Sequence, residues 1–220
     1  MPTVGYIVTL LIAYLLGSIP TGFLVAKARG VDIRTVGSGN IGATNVFRIL
    51  GKTAGIFVLL ADAAKGWLAV FVVARLVCGW CYPGAEKQAQ EWFNLGAGVA
   101  AILGHIYTCW LHFKGGKGIA TSAGVLLALV PGALLIALGI WIVVFALSRY
   151  VSLASISAAF SLPFAAWLCG ESKTIIAVIA GLAVLAIYKH KANIKRLMKG
   201  TENRMGPKKP ASSDSPKATP

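Results

Sequence analysis

An all-helical, polytopic membrane bundle is the fold class this chain predicts, and three observations carry that expectation. Hydrophobic residues make up 57% of the 220 and charged residues only 13%, about half the quarter expected of a water-soluble domain. The mean hydropathy is +0.75. The apolar residues also run in blocks close to the roughly 20 residues a helix needs to cross a bilayer. With water absent, each backbone group must be satisfied inside its own segment, so the blocks are read as helices.

Seven spans follow in order. The first covers Val4 to Lys27, and its lack of a basic flank and a small-residue cleavage site marks it as a span, not a cleavable leader. The second runs from Thr53 to Val77 and the third from Trp92 to Phe113. A shorter fourth covers Ile119 to Val130, after which Pro131-Gly132 turns the chain into a fifth, Ala133 to Leu147. The sixth is Val151 to Leu168 and the seventh Lys173 to Tyr188. The fourth and fifth are the pair whose fusion would change the count. Residues 1–204 make one transmembrane domain. The tail, 205–220, has too few apolar residues to offset the entropy of ordering and is expected to be a disordered basic extension.

Net charge is +14, and its placement orients the bundle. With the N-terminus outside, one side receives Lys27, Arg29, Arg34, Arg48, Lys52, Lys114, Lys117, Arg149 and the basic stretch from Lys189, while the other receives Lys87 and Lys173. The positive-inside rule makes the rich side cytoplasmic. Such charge suits anionic lipid surfaces or anionic substrates. No recognition motif points to nucleic acid. The four cysteines match neither a zinc spacing nor a disulfide framework, and Cys78-Gly79-Trp80-Cys81 lacks the βαβ surroundings of a redox motif.

Three polar regions meet on the basic side. The first, Gly37-Ser38-Gly39-Asn40-Ile41-Gly42-Ala43-Thr44-Asn45-Val46-Phe47-Arg48, spaces glycines as a dinucleotide fingerprint does but lacks the strand that motif requires. Its glycines would still let backbone N–H groups approach an anion ahead of a helix N-terminus. Ser38 or Asn40 is a candidate cap, and Arg48 a bidentate phosphate ligand. A tight turn with an interfacial arginine is the plainer alternative. The second, Lys114-Gly115-Gly116-Lys117-Gly118, fails the Walker pattern yet sets two lysines around glycines at a helix start. It reads equally as a phosphate cradle or a membrane-border turn. In the third, helical spacing brings His190, Asn193 and Arg196 near one face, for a phosphate or hydroxyl contact or for snorkelling to headgroups. Ser152 and Ser155, opening the sixth span, are placed to line the same site. Within the second span, Asp62 and Lys65 would each cost roughly 2.5–3.5 kcal/mol unpaired, so a supporting ion pair is expected.

These motifs, with Gly17-Ser18, Gly22, Asp62-Ala63-Ala64-Lys65-Gly66, His105 and Tyr150 through Ser155, resemble the acyl-phosphate:glycerol-3-phosphate acyltransferases of bacterial membranes, the PlsY family, up to about Arg204. The resemblance implies a seven-helix enzyme of the bacterial cytoplasmic (inner) membrane with its active site facing the cytoplasm. It implies acyl transfer from acyl phosphate to glycerol 3-phosphate, giving lysophosphatidic acid and phosphate, with no cofactor and no metal. The partners are those substrates and membrane lipids, and the oligomeric state stays open, a monomer included. In the roles that follow, Ser38, Arg48, Lys117, His190 and Asn193 are catalytic. Gly39, Asn40, Thr44, Asn45, Lys114, Gly115, Gly116, Gly118, Ser152, Ser155 and Arg196 bind substrate.

Rival classes fit less well. The His-x4-Asp pair of acyltransferases that take soluble donors is absent, since Trp110, Lys117 and Lys195 stand five residues after the three histidines. A carrier would show repeats and breaks at the midplane, whereas the glycine-rich loops sit at the border. A metal-dependent phosphotransferase needs clustered carboxylates, and the seven acidic residues are scattered.

Overall fold

The structure is a computed structural model describing residues 2–206. Residues 207–220, where most of the expected tail falls, lie outside the described residues. Within them every regular element is a helix. The elements are α1 (Pro2–Ser18), α2 (Thr21–Lys27), α3 (Ala43–Leu50), α4 (Lys52–Leu68), α5 (Arg75–Cys81), α6 (Lys87–Ile106), α7 (Ile119–Leu129), α8 (Pro131–Ser148), α9 (Val151–Leu168), α10 (Lys173–Lys189) and α11 (Lys191–Met198). A π-helical stretch, Ala69–Ala74, joins α4 to α5.

All seven apolar blocks fall on helices. Five stretches are long and apolar enough to cross a membrane: Thr3–Lys27, Lys52–Cys81, Lys87–Leu111, Pro131–Ser148 and Val151–Leu168. A sixth results if α10 and α11, bent by 56°, count as one. The fourth block remains separate from the fifth as α7, whose 11 residues rise only about 16 Å against a hydrocarbon core of about 30 Å. Proline explains two of the breaks. Pro20 separates α1 from α2, and Pro131 opens α8 at its first position, where its missing N–H costs nothing.

Because lipid tails are as apolar as leucine, helices here associate through close packing at small residues. α1 and α6 pack together through Gly17 and Gly104. A Cβ on Gly17 would lie 2.1 Å from the Ala101 carbonyl, and one on Gly104 would lie 2.2 Å from that of Tyr14. The α4–α7 contact repeats the device, with Gly66 against the Thr121 carbonyl (2.2 Å) and Gly124 against that of Ala63 (1.8 Å). Gly124→Val is therefore expected to wedge α7 off α4 at a cost of about 1–3 kcal/mol, read as earlier thermal unfolding in detergent. An unchanged melting curve would contradict this packing account. The consequence for function is that α7 is packed closely against α4 while its N-terminus follows directly on the Lys114–Gly118 loop.

Candidate active site

The ion pair expected within the second span is present. Lys65 Nζ lies 2.8 Å from Asp62 Oδ1, and both side chains are buried. Thr21 Oγ1 donates to the same oxygen at 3.1 Å, and Lys65 donates to the Ile19 carbonyl at 2.8 Å. His105 completes the group, its Nδ1 3.7 Å from Asp62 Oδ1.

The first polar loop uses much of its own hydrogen-bonding capacity. Asn45 is buried. Its Oδ1 accepts from the Ser38 N–H (2.9 Å), and its Nδ2 donates to the carbonyls of Ile33 (3.2 Å) and Val36 (3.1 Å). The Gly39 N–H goes to Val36, and the Gly42 N–H to Asn40 Oδ1. Gly37 and Gly39 adopt left-handed φ of 62° and 69°, which glycine tolerates without a Cβ penalty. Asn40 and Asn45 thus shape this loop internally. Ser38 remains exposed at its apex, Thr44 is half-buried in the first turn of α3, and Arg48 is half-buried one turn further.

In the second loop the amides of Gly115 and Gly116 are likewise engaged, donating to the carbonyls of Ile106 (3.0 Å) and His105 (3.1 Å). The glycines serve a close approach: a Cβ on Gly115 would sit 2.0 Å from the His105 carbonyl oxygen, and one on Gly116 would sit 2.1 Å from His105 Nε2. Lys114 is exposed, whereas Lys117 turns inward and donates to Asn193 Oδ1. Gly118, with φ of 85°, caps α7. The N–H groups of that helix's first turn precede any intrahelical acceptor and face the anion-attracting end of its dipole.

The third region converges on Lys117. His190 sits buried at the bend between α10 and α11, its Nδ1 2.7 Å from the Ala186 carbonyl. A carbonyl only accepts, so Nδ1 carries the hydrogen and neutral Nε2 keeps its lone pair. Asn193 Nδ2 donates to Glu202 Oε1 (2.7 Å), as does Ser152 Oγ (2.9 Å), and Arg196 Nε donates to Oε2 (2.7 Å). Arg196 keeps its two terminal nitrogens for other acceptors. Burial alone would raise the Glu202 pKa, but the bonds from Asn193, Arg196 and Ser152 outweigh it and hold the carboxyl below its usual range. Burial pushes Lys117 down to about 8; Glu202 opposes the shift, and the charges of Arg196 and Arg48 add to it.

The structure thus gathers Lys117, His190, Asn193, Arg196 and Ser152, with Arg48 close enough for its charge to act on Lys117. It does not bring Ser155 to this cluster, since that hydroxyl accepts from Trp141 Nε1 at 3.1 Å and ties α9 to α8. Sequence reasoning missed Glu202. The one available sign was its isolation, as the only acid between Glu171 and Asp214 in a stretch rich in lysine and arginine.

A family model described as glycerol-3-phosphate acyltransferase matches residues 7–200. A Geotalea daltonii protein of that name is 48% identical over 197 residues, covering 90% of this chain and 96% of the relative. One from Geobacter sulfurreducens is 47% identical, covering 88% and 94%. Among solved structures, the chain resembles the crystal structure of PlsY (YgiH), an integral membrane glycerol 3-phosphate acyltransferase, in its glycerol 3-phosphate form. The TM-score is 0.79 at 40% identity, covering 91% of this chain and 96% of that one.

Proposed function

Because this chain belongs to the glycerol-3-phosphate acyltransferase family, we propose that it transfers a fatty acyl group from acyl phosphate to the primary hydroxyl of glycerol 3-phosphate. The products are lysophosphatidic acid and inorganic phosphate. One observation carries the reading. The charges of Arg48 and Arg196 act on Lys117, and the carboxylate among them, Glu202, is already occupied by Ser152, Asn193 and Arg196. Partly buried cations with too few anions form a site that a phosphate would balance.

In this reading the N-terminus of α7, Lys117, Arg48 and Ser38 hold the donor phosphate. His190, Asn193 and the free nitrogens of Arg196 orient glycerol 3-phosphate. Its hydroxyl oxygen attacks the acyl carbonyl carbon while the proton passes to His190 Nε2 or to a donor phosphate oxygen. The tetrahedral intermediate then collapses, the bond from carbon to the bridging oxygen breaks, and phosphate departs with that oxygen. Phosphate is already a good leaving group, so positioning supplies much of the rate. No cofactor takes part in these steps. The acyl tail lies between helices in the lipid plane. In this reading all seven apolar blocks, short α7 included, cross the bacterial inner membrane, with the N-terminus outside and this site open to the cytoplasm.

Lys117 binds phosphate only when charged, so activity is expected to fall as pH rises through about 8, read from kcat/KM against pH. A flat profile to pH 10 would remove Lys117 from the phosphate site. The donor itself is tested with purified protein in detergent, glycerol 3-phosphate and synthetic acyl phosphate, beside acyl-CoA and beside acyl phosphate with EDTA. Product from acyl phosphate alone, unaffected by chelator, is expected. Product only from acyl-CoA would refute the donor. No product from either, in folded protein, would favour a phosphate-ester carrier.

A further inference from the structure

His105 is a buried ionisable group that the proposed chemistry leaves unused. It sits at the last turn of α6, 5% exposed, where the helix's final carbonyls have no intrahelical donor. The loop supplies those donors: Gly116 N–H bonds to the His105 carbonyl and Gly115 N–H to that of Ile106. The imidazole's Nε2 edge lies so near Gly116 that a Cβ there would be 2.1 Å away. Its Nδ1 edge faces Asp62, which is tied in turn to Lys65 and Thr21. Lys65 continues the chain of contacts to the Ile19 carbonyl beside the Pro20 break. One imidazole thus stands between a buried ion pair of α4, itself tied to Thr21 of α2 and the Ile19 carbonyl, and the backbone immediately preceding Lys117.

We infer that His105 is a positioning residue for the reaction, holding the Gly115–Gly116 backbone against the Asp62–Lys65 pair so that Lys117 is delivered to Asn193. The inference rests on the phosphate-binding reading of Lys117. The two glycines then serve contact with the imidazole, which agrees with neither having a positive φ. If the imidazole edge is lost, the loop relaxes outward and Lys117 regains water. The charges acting on Lys117 are Arg48 from α3, Arg196 from α11 and Glu202 beyond it, and the neutral His190 lies beside it at the α10–α11 bend. Those partners are unchanged by a substitution at His105, so a change in Lys117 reports the loop.

The experiment compares wild type, His105→Leu and His105→Gln, whose longer side-chain amide reaches roughly where Nε2 sits against Gly116. Lysines are reductively methylated with a carbon-13 label, and Lys117 is assigned by its absence in Lys117→Arg. Its resonance is expected to titrate near 8 in wild type, to move toward 10.5 in His105→Leu, and to return most of the way in His105→Gln. In the acyl-phosphate assay, kcat is expected to fall at least about tenfold in His105→Leu and to recover in His105→Gln. A folded His105→Leu protein with the wild-type titration and kcat would overturn the inference. So would activity lost only in proportion to unfolded protein, or a Gln variant as impaired as Leu. The titration needs no turnover, so an inactive wild type would fault the proposed reaction while the positioning is still measured.

Discussion

Lys117→Ala protein is expected to lose about 10²–10³-fold in turnover, the range seen when one preorganised group is taken from a reaction centre, while its melting curve stays near that of wild type. The expectation follows from where the side chain lies. Lys117 is drawn inward onto Asn193 and sits among Arg48, Arg196 and His190. Holding cations together in low dielectric is unfavourable until an anion arrives. Deleting one of them relieves repulsion in the empty protein, so stability should not suffer. The same deletion removes charge from the phosphate during transfer, so kcat should. Lys117→Arg keeps the charge but not the reach or shape, and an intermediate loss is expected. Near-normal turnover in Lys117→Ala would take the residue out of the site.

Asp62→Ala is expected to have the largest effect on stability, about 3–5 kcal/mol, as when one partner of a buried ion pair is removed. The charge left behind is Lys65, buried between α4 and the α1–α2 break with only the Ile19 carbonyl as acceptor. Thr21 would lose its acceptor as well. The double substitution Asp62→Leu with Lys65→Met removes both charges, so most of the stability should return even though the hydrogen bonds do not. Melting in detergent distinguishes these outcomes. A double variant no better than Asp62→Ala would mean that packing, not charge, dominates the site.

Much of this arrangement is legible in the sequence. Apolar block length located every long helix, because the cost of unsatisfied backbone in lipid leaves few alternatives. Asp62 and Lys65 announced their pairing through three-residue spacing and the expense of either alone. The π-helical turn at Ala69–Ala74 was not legible, since hydropathy is blind to which carbonyl an amide reaches. Nor was the use of the glycines. Gly115 and Gly116 carry the composition of a phosphate cradle, yet their amides bond to α6 and their missing side chains make room for His105. Asn45 shows the same limit: its type and place suggested substrate, whereas its three bonds all close the loop on itself. Glu202 reaches Ser152 across 50 positions of sequence, a tertiary contact that no local spacing encodes. Ser152 and Ser155 share a helix face by spacing, and only the neighbouring α8, through Trp141, separates their roles.

The central claim is acyl transfer by attack of a glycerol 3-phosphate hydroxyl on the carbonyl of an acyl phosphate. It is tested most directly by following an oxygen-18 label placed in the primary hydroxyl of glycerol 3-phosphate, with products read by mass spectrometry. The account predicts the label in the ester of lysophosphatidic acid and unlabelled inorganic phosphate in equal amount. Label joined to phosphorus, with free fatty acid released, would mean phosphoryl transfer and would contradict it.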